Sequence, residues 1–174
     1  MARILDLGCR IKAQTLGGQT TLHLACYSGN LEYAKLLLAA RTSLSTTLRY
    51  STTPLHDAVA SKYATTELIE LLIQNGAVVS AKDACGVAPL HEAATVSCDT
   101  VQLLLRHGAD INAQNTNGNT PIALAVRYAN SKSLTILHQA GVDLTMVNFW
   151  SYNILHQAAY LAQLATRLFT ARLG

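Results

Sequence analysis

Charge is scarce in this sequence. Asp, Glu, Lys and Arg make up 13% of its 174 residues, against roughly 25% in ordinary soluble domains, so Thr, Ser, Asn and Gln must solvate much of the surface. The net charge of +3 is too small to mark a nucleic-acid binder, and Arg3, Arg10, Arg41, Arg49 and Arg106 are scattered instead of clustered. Long hydrophobic runs are missing as well. Stretches such as Leu36-Leu37-Leu38-Ala39-Ala40 fall far short of a membrane span, and the start, Met1-Ala2-Arg3-Ile4-Leu5-Asp6, lacks the apolar segment of a secretory signal. Cys9, Cys26, Cys85 and Cys98 have no paired spacing and no His at zinc-ligand distance. That argues against a disulfide framework or a zinc site, and for reduced thiols in a cytoplasmic or nuclear protein. There is no phosphate-binding glycine loop, no Gly-x-Ser-x-Gly elbow and no His-Glu-x-x-His. An enzyme is not expected, nor a cofactor.

What the sequence does have is a period. Thr53-Pro54-Leu55-His56 has near-copies at Thr20-Thr21-Leu22-His23, Ala88-Pro89-Leu90-His91, Thr120-Pro121-Ile122-Ala123 and Asn153-Ile154-Leu155-His156, with first residues 33, 35, 32 and 33 apart. Thr20, Thr53, Thr120 and Asn153 suit a helix N-cap, where a side-chain oxygen accepts from a free backbone N–H. Pro54, Pro89 and Pro121 follow at the first helical position, where a missing N–H costs nothing. The pattern predicts first helices over about 21–28, 54–61, 89–96, 121–128 and 154–161. The small pairs Ala25-Cys26, Ala58-Val59, Ala93-Ala94, Ala125-Val126 and Ala158-Ala159 let neighbouring helices approach, which makes Cys26 a core residue. Second helices are predicted around Leu36-Leu37-Leu38, Leu68-Ile69 with Leu71-Leu72-Ile73, Val101 with Leu103-Leu104-Leu105, and Leu134 with Ile136-Leu137. Gly76, Gly108 and Gly141 end three of them in the left-handed conformation. Arg41 replaces that glycine after the first, so this turn is expected to be strained or differently shaped.

This period and the Thr-Pro-Leu-His signature resemble ankyrin repeats along the whole chain. The resemblance implies an all-α solenoid of stacked helix-turn-helix units with β-turn fingers, because one such unit cannot bury its apolar face alone. The units are assigned to residues 17–49, 50–84, 85–116, 117–149 and 150–174, the last incomplete. Residues 1–16, in which 4–16 resemble a second-helix end and its finger, are assigned to a preceding repeat. The chain is therefore expected to begin and end inside a repeat, with five helix pairs between. The uneven spacings fall between the helices, at Ser61–Thr66 and in the matching loop of the next unit.

Recurrence of His23, His56, His91 and His156 invites a metal site, but one histidine per repeat spreads them along a solenoid. The family resemblance implies local bonding to backbone near the turn, less secure in the unit where Ala123 stands. Asp57 and Glu92, next to two of these histidines, are expected on an exposed helix face. Leu104, Asp110, Ile111 and Asn112 resemble the pattern read by the asparaginyl hydroxylase of ankyrin fingers, although the simpler reading, which is preferred, is that Asn112 closes its turn onto backbone.

The aromatics point to function. In repeat register, Tyr27, Tyr128 and Tyr160 follow the small pair of the first helix, while Tyr50, Phe149, Trp150 and Tyr152 fall in the turn just before it. The resemblance places both positions on an outward concave face where partners dock, flanked by Arg49 and Arg127. Exposed aromatics and Arg dominate binding hot spots. Tyr33 and Phe169 are expected in the core, and Tyr63 in the lengthened loop. The implied function is a non-catalytic protein–protein interaction module, a monomer or part of a longer array, binding a protein partner on its concave surface. The other classes it allows are the substrate receptor of a ubiquitin ligase, which would need a SOCS or F-box segment, and a direct inhibitor of a kinase or transcription factor.

Overall fold

A computed structural model describes residues 14, 15, 17–44 and 51–171 of the chain, with backbone alone for 163–171. The expected remnant over 4–16 lies outside these except at Gln14 and Thr15, and Arg49, Tyr50, the Phe169 side chain and Gly174 also lie outside. The described elements are helices joined by turns, with a lone antiparallel bridge between Gln14 and Thr20. Four short–long pairs follow one another: α1 (Thr21–Tyr27) with α2 (Leu31–Ala39), α3 (Pro54–Ala60) with α4 (Thr66–Gln74), α5 (Pro89–Val96) with α6 (Cys98–Arg106), and α7 (Pro121–Arg127) with α8 (Ser131–Gln139). The last element is α9 (Ile154–Ala171). First helices stack on first helices from α1 to α9, and second helices on second helices from α2 to α8. The result is the two-layered all-α solenoid that the period predicts. Among the described residues no helix is long and apolar enough to cross a membrane.

The core runs as a continuous row between the layers. Leu22, Leu55, Leu90 and Ile122 enter it from the first helices, and Leu37, Leu68, Leu72, Leu104 and Leu137 from the second, all at most 3% exposed. Each such side chain contributes about 1.5–3 kcal/mol through burial. Ala25, Cys26, Ala58, Val59, Ala93, Ala94 and Ala125 are also buried where first helices approach one another. The last pair, Ala158-Ala159 on α9, is exposed, because among the described residues no further first helix packs on it. The Cys26 thiol is pushed up to about 12, first by burial and then by the negative charge of Asp57, which makes it an inert core group. Tyr33 is partly buried against this core, and Tyr63 is exposed in the loop between α3 and α4.

The second helices end as predicted, with Gly76, Gly108 and Gly141 at φ of 95°, 79° and 82°. Each turn closes by an amide reaching back to the last helical turn: Ala77 to the Leu72 carbonyl, Ala109 to Leu104, Val142 to Leu137. The turn after α2 closes in the same way, Thr42 N–H donating to Leu37 O at 3.2 Å, so it is not differently shaped. Its strain is real, because Arg41 holds φ at 55°. A side chain there costs about 1–2 kcal/mol, partly offset by the extra freedom glycine has in the unfolded chain. Arg41→Gly is accordingly expected to raise stability by at most about 1 kcal/mol, measured by denaturant titration.

Two connections depart from the others. Ser97 alone joins α5 to α6, its Oγ accepting from Thr100 N–H, whereas residues 61–65 separate α3 from α4. At the end of the chain a single 18-residue helix, α9, stands where two shorter helices were expected. Gly29-Asn30 and Ala129-Asn130 break the earlier pairs, with Gly29 and Ala129 at positive φ and both asparagines capping the next helix. After Tyr160 the sequence instead reads Leu161-Ala162-Gln163-Leu164-Ala165, good helix formers with no cap, so nothing stops the helix.

Candidate functional site

The turn before α9 is organised by Asn148, which is 8% exposed. Its Oδ1 accepts from the N–H groups of Trp150 and Tyr152, each at 3.0 Å, and its own N–H donates to Tyr152 O at 3.0 Å. The same device occurs one and two repeats earlier. Asn115 Oδ1 accepts from Asn117 and Asn119 N–H, and Asp83 Oδ1 from Cys85 and Val87 N–H. These residues recur at 83, 115 and 148, five positions before each tetrapeptide; that register was the signal by which sequence reasoning could have found them. The last turn is fixed to the one before it by Phe149 N–H donating to Asn117 O, Asn148 Nδ2 to Asn119 Oδ1, and Gln114 Nε2 to the carbonyls of Gly118 and Val147.

Close stacking of the two turns depends on Gly118. Its φ is +74°, and a Cβ there would lie 2.8 Å from Phe149 N and 2.9 Å from Asn148 Cα. Gly118→Ala combines left-handed strain with a backbone clash, and is expected to cost about 2 kcal/mol and to push the aromatic turn outward. Thermal melting checks the first effect, and the emission of the sole tryptophan, Trp150, checks the second.

Between α7 and α9 this turn opens onto a cleft of about 520 Å³. Arg127 comes from α7, Trp150 and Tyr152 from the turn, and Gln157, Tyr160 and Leu161 from α9, with the buried Asn119 and Asn148 completing the lining. Trp150 is 60% exposed, Tyr160 61% and Tyr152 49%, with Tyr152 stacked on His156 at 6.0 Å. Among the described residues Lys35 forms ion pairs, with Glu32 and Glu67, and Arg127 forms none. Four of the residues expected at a binding face, Arg127, Trp150, Tyr152 and Tyr160, thus meet in one place. Tyr27, Tyr128 and Phe149 are exposed but do not line the cleft, and Arg49 and Tyr50 lie outside the described residues.

A family model for ankyrin repeats, three copies, matches residues 1–83, 60–148 and 90–169. The chain belongs to the ankyrin repeat family. It is also similar to a Saccharomyces cerevisiae protein named "Probable 26S proteasome regulatory subunit p28", 41% identical over 81 residues. That stretch is 45% of this chain and 35% of the yeast protein, so the match spans about a third of that relative's length.

In this ankyrin chain the recurring histidines do more than bond locally. Each of His23, His56 and His91 accepts at Nδ1 from an N-cap N–H, of Thr20, Thr53 and Ala88, which leaves the proton on Nε2. That Nε2–H donates into the next repeat, to Thr52 O at 3.3 Å, Val87 O at 3.0 Å and Asn119 O at 3.0 Å. Burial depresses the pKa of His56 and His91, so the rings stay neutral. Where Ala123 stands no imidazole is available, and the amide bonds between Asn119, Asn117 and the 148–149 turn bridge to the next repeat instead. His156 is exposed, with Nδ1 at 2.6 Å from Asn153 Oδ1. Asn112 also reaches across repeats: its Oδ1 accepts from Asp143 N–H at 2.9 Å, while Asp110 closes the local turn through Asn112 N–H.

Asp57 and Glu92 are not on an exposed face. Both are half-buried, and Asp57 Oδ2 and Glu92 Oε2 are buried with no hydrogen-bond partner. Each sits on a seven- or eight-residue helix with a first helix on either side and a second helix behind, which leaves only a narrow outward strip. Burial pushes the Asp57 carboxyl up to about 6. Burial first, then the charges of Asp83 and Asp57, push Glu92 up to about 8.

Proposed function

We propose that this ankyrin chain is a non-catalytic protein–protein interaction module of the cytoplasm or nucleus, and that the Arg127–Trp150–Tyr152–Tyr160 cleft is the centre of its docking surface on the concave side. The observation that carries the reading is the cleft itself. Trp150 and Tyr152 are held exposed by the turn that Asn148 hydrogen-bonds, beside Tyr160 on α9 and the Arg127 guanidinium on α7, which has no ion-pair partner among the described residues. Rigid aromatics supply contact area at little entropic cost, and Trp, Tyr and Arg are the residues that most often carry binding energy. The likeness to the yeast protein named as a probable 26S proteasome regulatory subunit favours one place to look for the partner, among proteasome components. Affinity capture with the full chain as bait, beside Trp150→Ala as a matched control, is the test. A protein retained by the first and lost by the second at equal folded concentration supports the reading. Capture unchanged by Trp150→Ala refutes the cleft as its centre. Proteasome subunits, cullin–elongin components, or a kinase or transcription factor among the proteins lost would distinguish the partner classes.

A further inference from the structure

The distribution of charge along the chain says what kind of segment this cleft takes. Up to residue 110 the sequence carries nine Lys or Arg and nine Asp or Glu; after it there are four cations and one acid, so the whole net charge of +3 resides in the C-terminal part. That acid, Asp143, is occupied, its Oδ1 accepting from both the N–H and the hydroxyl of Thr145. Neither α7, nor the turn before α9, nor α9 contains an acidic residue. Arg127 thus faces the cleft as an uncompensated cation, in a region with no carboxylate of its own to satisfy it.

Polar tips in the cleft are similarly unspent. Among the described residues the Trp150 indole N–H, the Tyr152 and Tyr160 hydroxyls and the Gln157 side-chain amide make no hydrogen bond. Aromatic walls with donors at their edges suit an extended backbone whose carbonyls point outward. Proline-containing segments meet that description, because they are pre-ordered, leave their carbonyls free, and pack pyrrolidine rings between aromatic side chains. A guanidinium at the rim adds selection for a carboxylate through a charge-assisted pair.

We propose that the cleft between α7 and α9 binds an extended, proline-containing segment of the partner that carries an Asp or Glu side chain onto Arg127. The inference rests on the docking function proposed above and adds to it the chemistry of the bound segment. Single-stranded nucleic acid could also stack on such rings, but it demands a basic groove along its backbone, and among the described residues the cleft has one cation.

The test is selection of a peptide-display library, randomised around a fixed proline, on the full chain, on Arg127→Glu and on Trp150→Ala. Enrichment of Asp or Glu beside the proline is expected on the natural chain, exchange for Lys or Arg on Arg127→Glu, and no enrichment on Trp150→Ala. The best acidic peptide, titrated against the emission of Trp150, the sole tryptophan, should bind about tenfold tighter than its Asn or Gln counterpart, in line with a hydrogen bond to a charged group. Arg127→Gln should erase that difference without moving the melting temperature. Acid enrichment that persists on Arg127→Glu overturns the proposal, as does equal affinity for the amide peptide. So does a Trp150 response to a thymidine-rich oligonucleotide in place of peptide. If a captured partner still depends on Trp150 while the acid preference is absent, the docking function stands and only the charge rule falls.

Discussion

Leu104→Ala is expected to lower stability by about 3 kcal/mol and the melting temperature by roughly 10 °C, while Trp150→Ala leaves both nearly unchanged. Leu104 is fully buried on α6, between the first helices and the neighbouring second helices. Removing three carbons there leaves a cavity that helices held by capping and cross-repeat hydrogen bonds cannot collapse to fill. Trp150 sits at the other extreme. At 60% exposure its ring has little burial to lose, and its backbone is held by Asn148 whatever the side chain. For partner binding the order reverses. Trp150→Ala should weaken it by about 2 kcal/mol or more, roughly 30-fold in dissociation constant, and Leu104→Ala should act only through the unfolded fraction. Tyr160→Ala is expected to follow Trp150→Ala. Tyr128→Ala should cost less, because its ring is exposed outside the cleft. Equal falls in melting temperature for Trp150→Ala and Leu104→Ala would place the indole in the core and send the search for a docking face to the finger tips.

Features of the fold that depend on a single residue's covalent constraints were legible in the sequence. Pro54, Pro89 and Pro121 start helices because their N–H is absent, and Gly76, Gly108 and Gly141 end them because they lack a Cβ. The period added the stacking, since a face of Leu and Ile repeated every 33 or so residues has only its neighbours to pack on. What escaped depends on relations between repeats. Asp57 and Glu92 read as exposed on a helix considered alone, yet the flanking first helices cover them. The histidines were expected to serve their own turns, and the cross-repeat arm of each bond ends on a carbonyl some 28–31 residues away. α9 escaped for the converse reason. Likeness to the earlier units suggested a break after Tyr160, while the local residues had no reason to break. Of the candidate site, the aromatic and Arg residues were visible by type and register, but not which of them share one cleft. That required the Asn148 turn and the approach of α9 to α7.

Glu92→Gln should stabilise the chain at alkaline pH and change little at pH 5. The Glu92 carboxyl is raised from 4.5 to about 8 in the fold, and Asp57 from 3.8 to about 6. In each case the folded state holds its proton more tightly than the unfolded chain. Their contribution is therefore fully present below the unfolded values and is lost as pH rises through the folded ones. The window for Glu92 runs from about 4.5 to 8, and that for Asp57 from about 3.8 to 6. The buried histidines act in the opposite sense. His56 and His91 are depressed below 6.5, so the unfolded chain takes up protons that the fold refuses, and stability falls as pH drops below 6.5. The two sets together make a stability maximum in the weakly acidic range. Above it, ionised Glu92 must keep Oε2 in a buried place with no partner, beside Asp57 and Asp83. Glutamine carries no charge at any of these pH values. The variant should therefore gain on the order of 2 kcal/mol at pH 8.5, lose most of the decline between pH 6 and 8.5, and retain the acid limb set by the histidines. Urea midpoints of the natural chain and the variant across pH 4.5–8.5 provide the measurement. Parallel alkaline limbs in the two proteins would mean that Glu92 turns its carboxylate out to water, and that the cost of its burial is not felt.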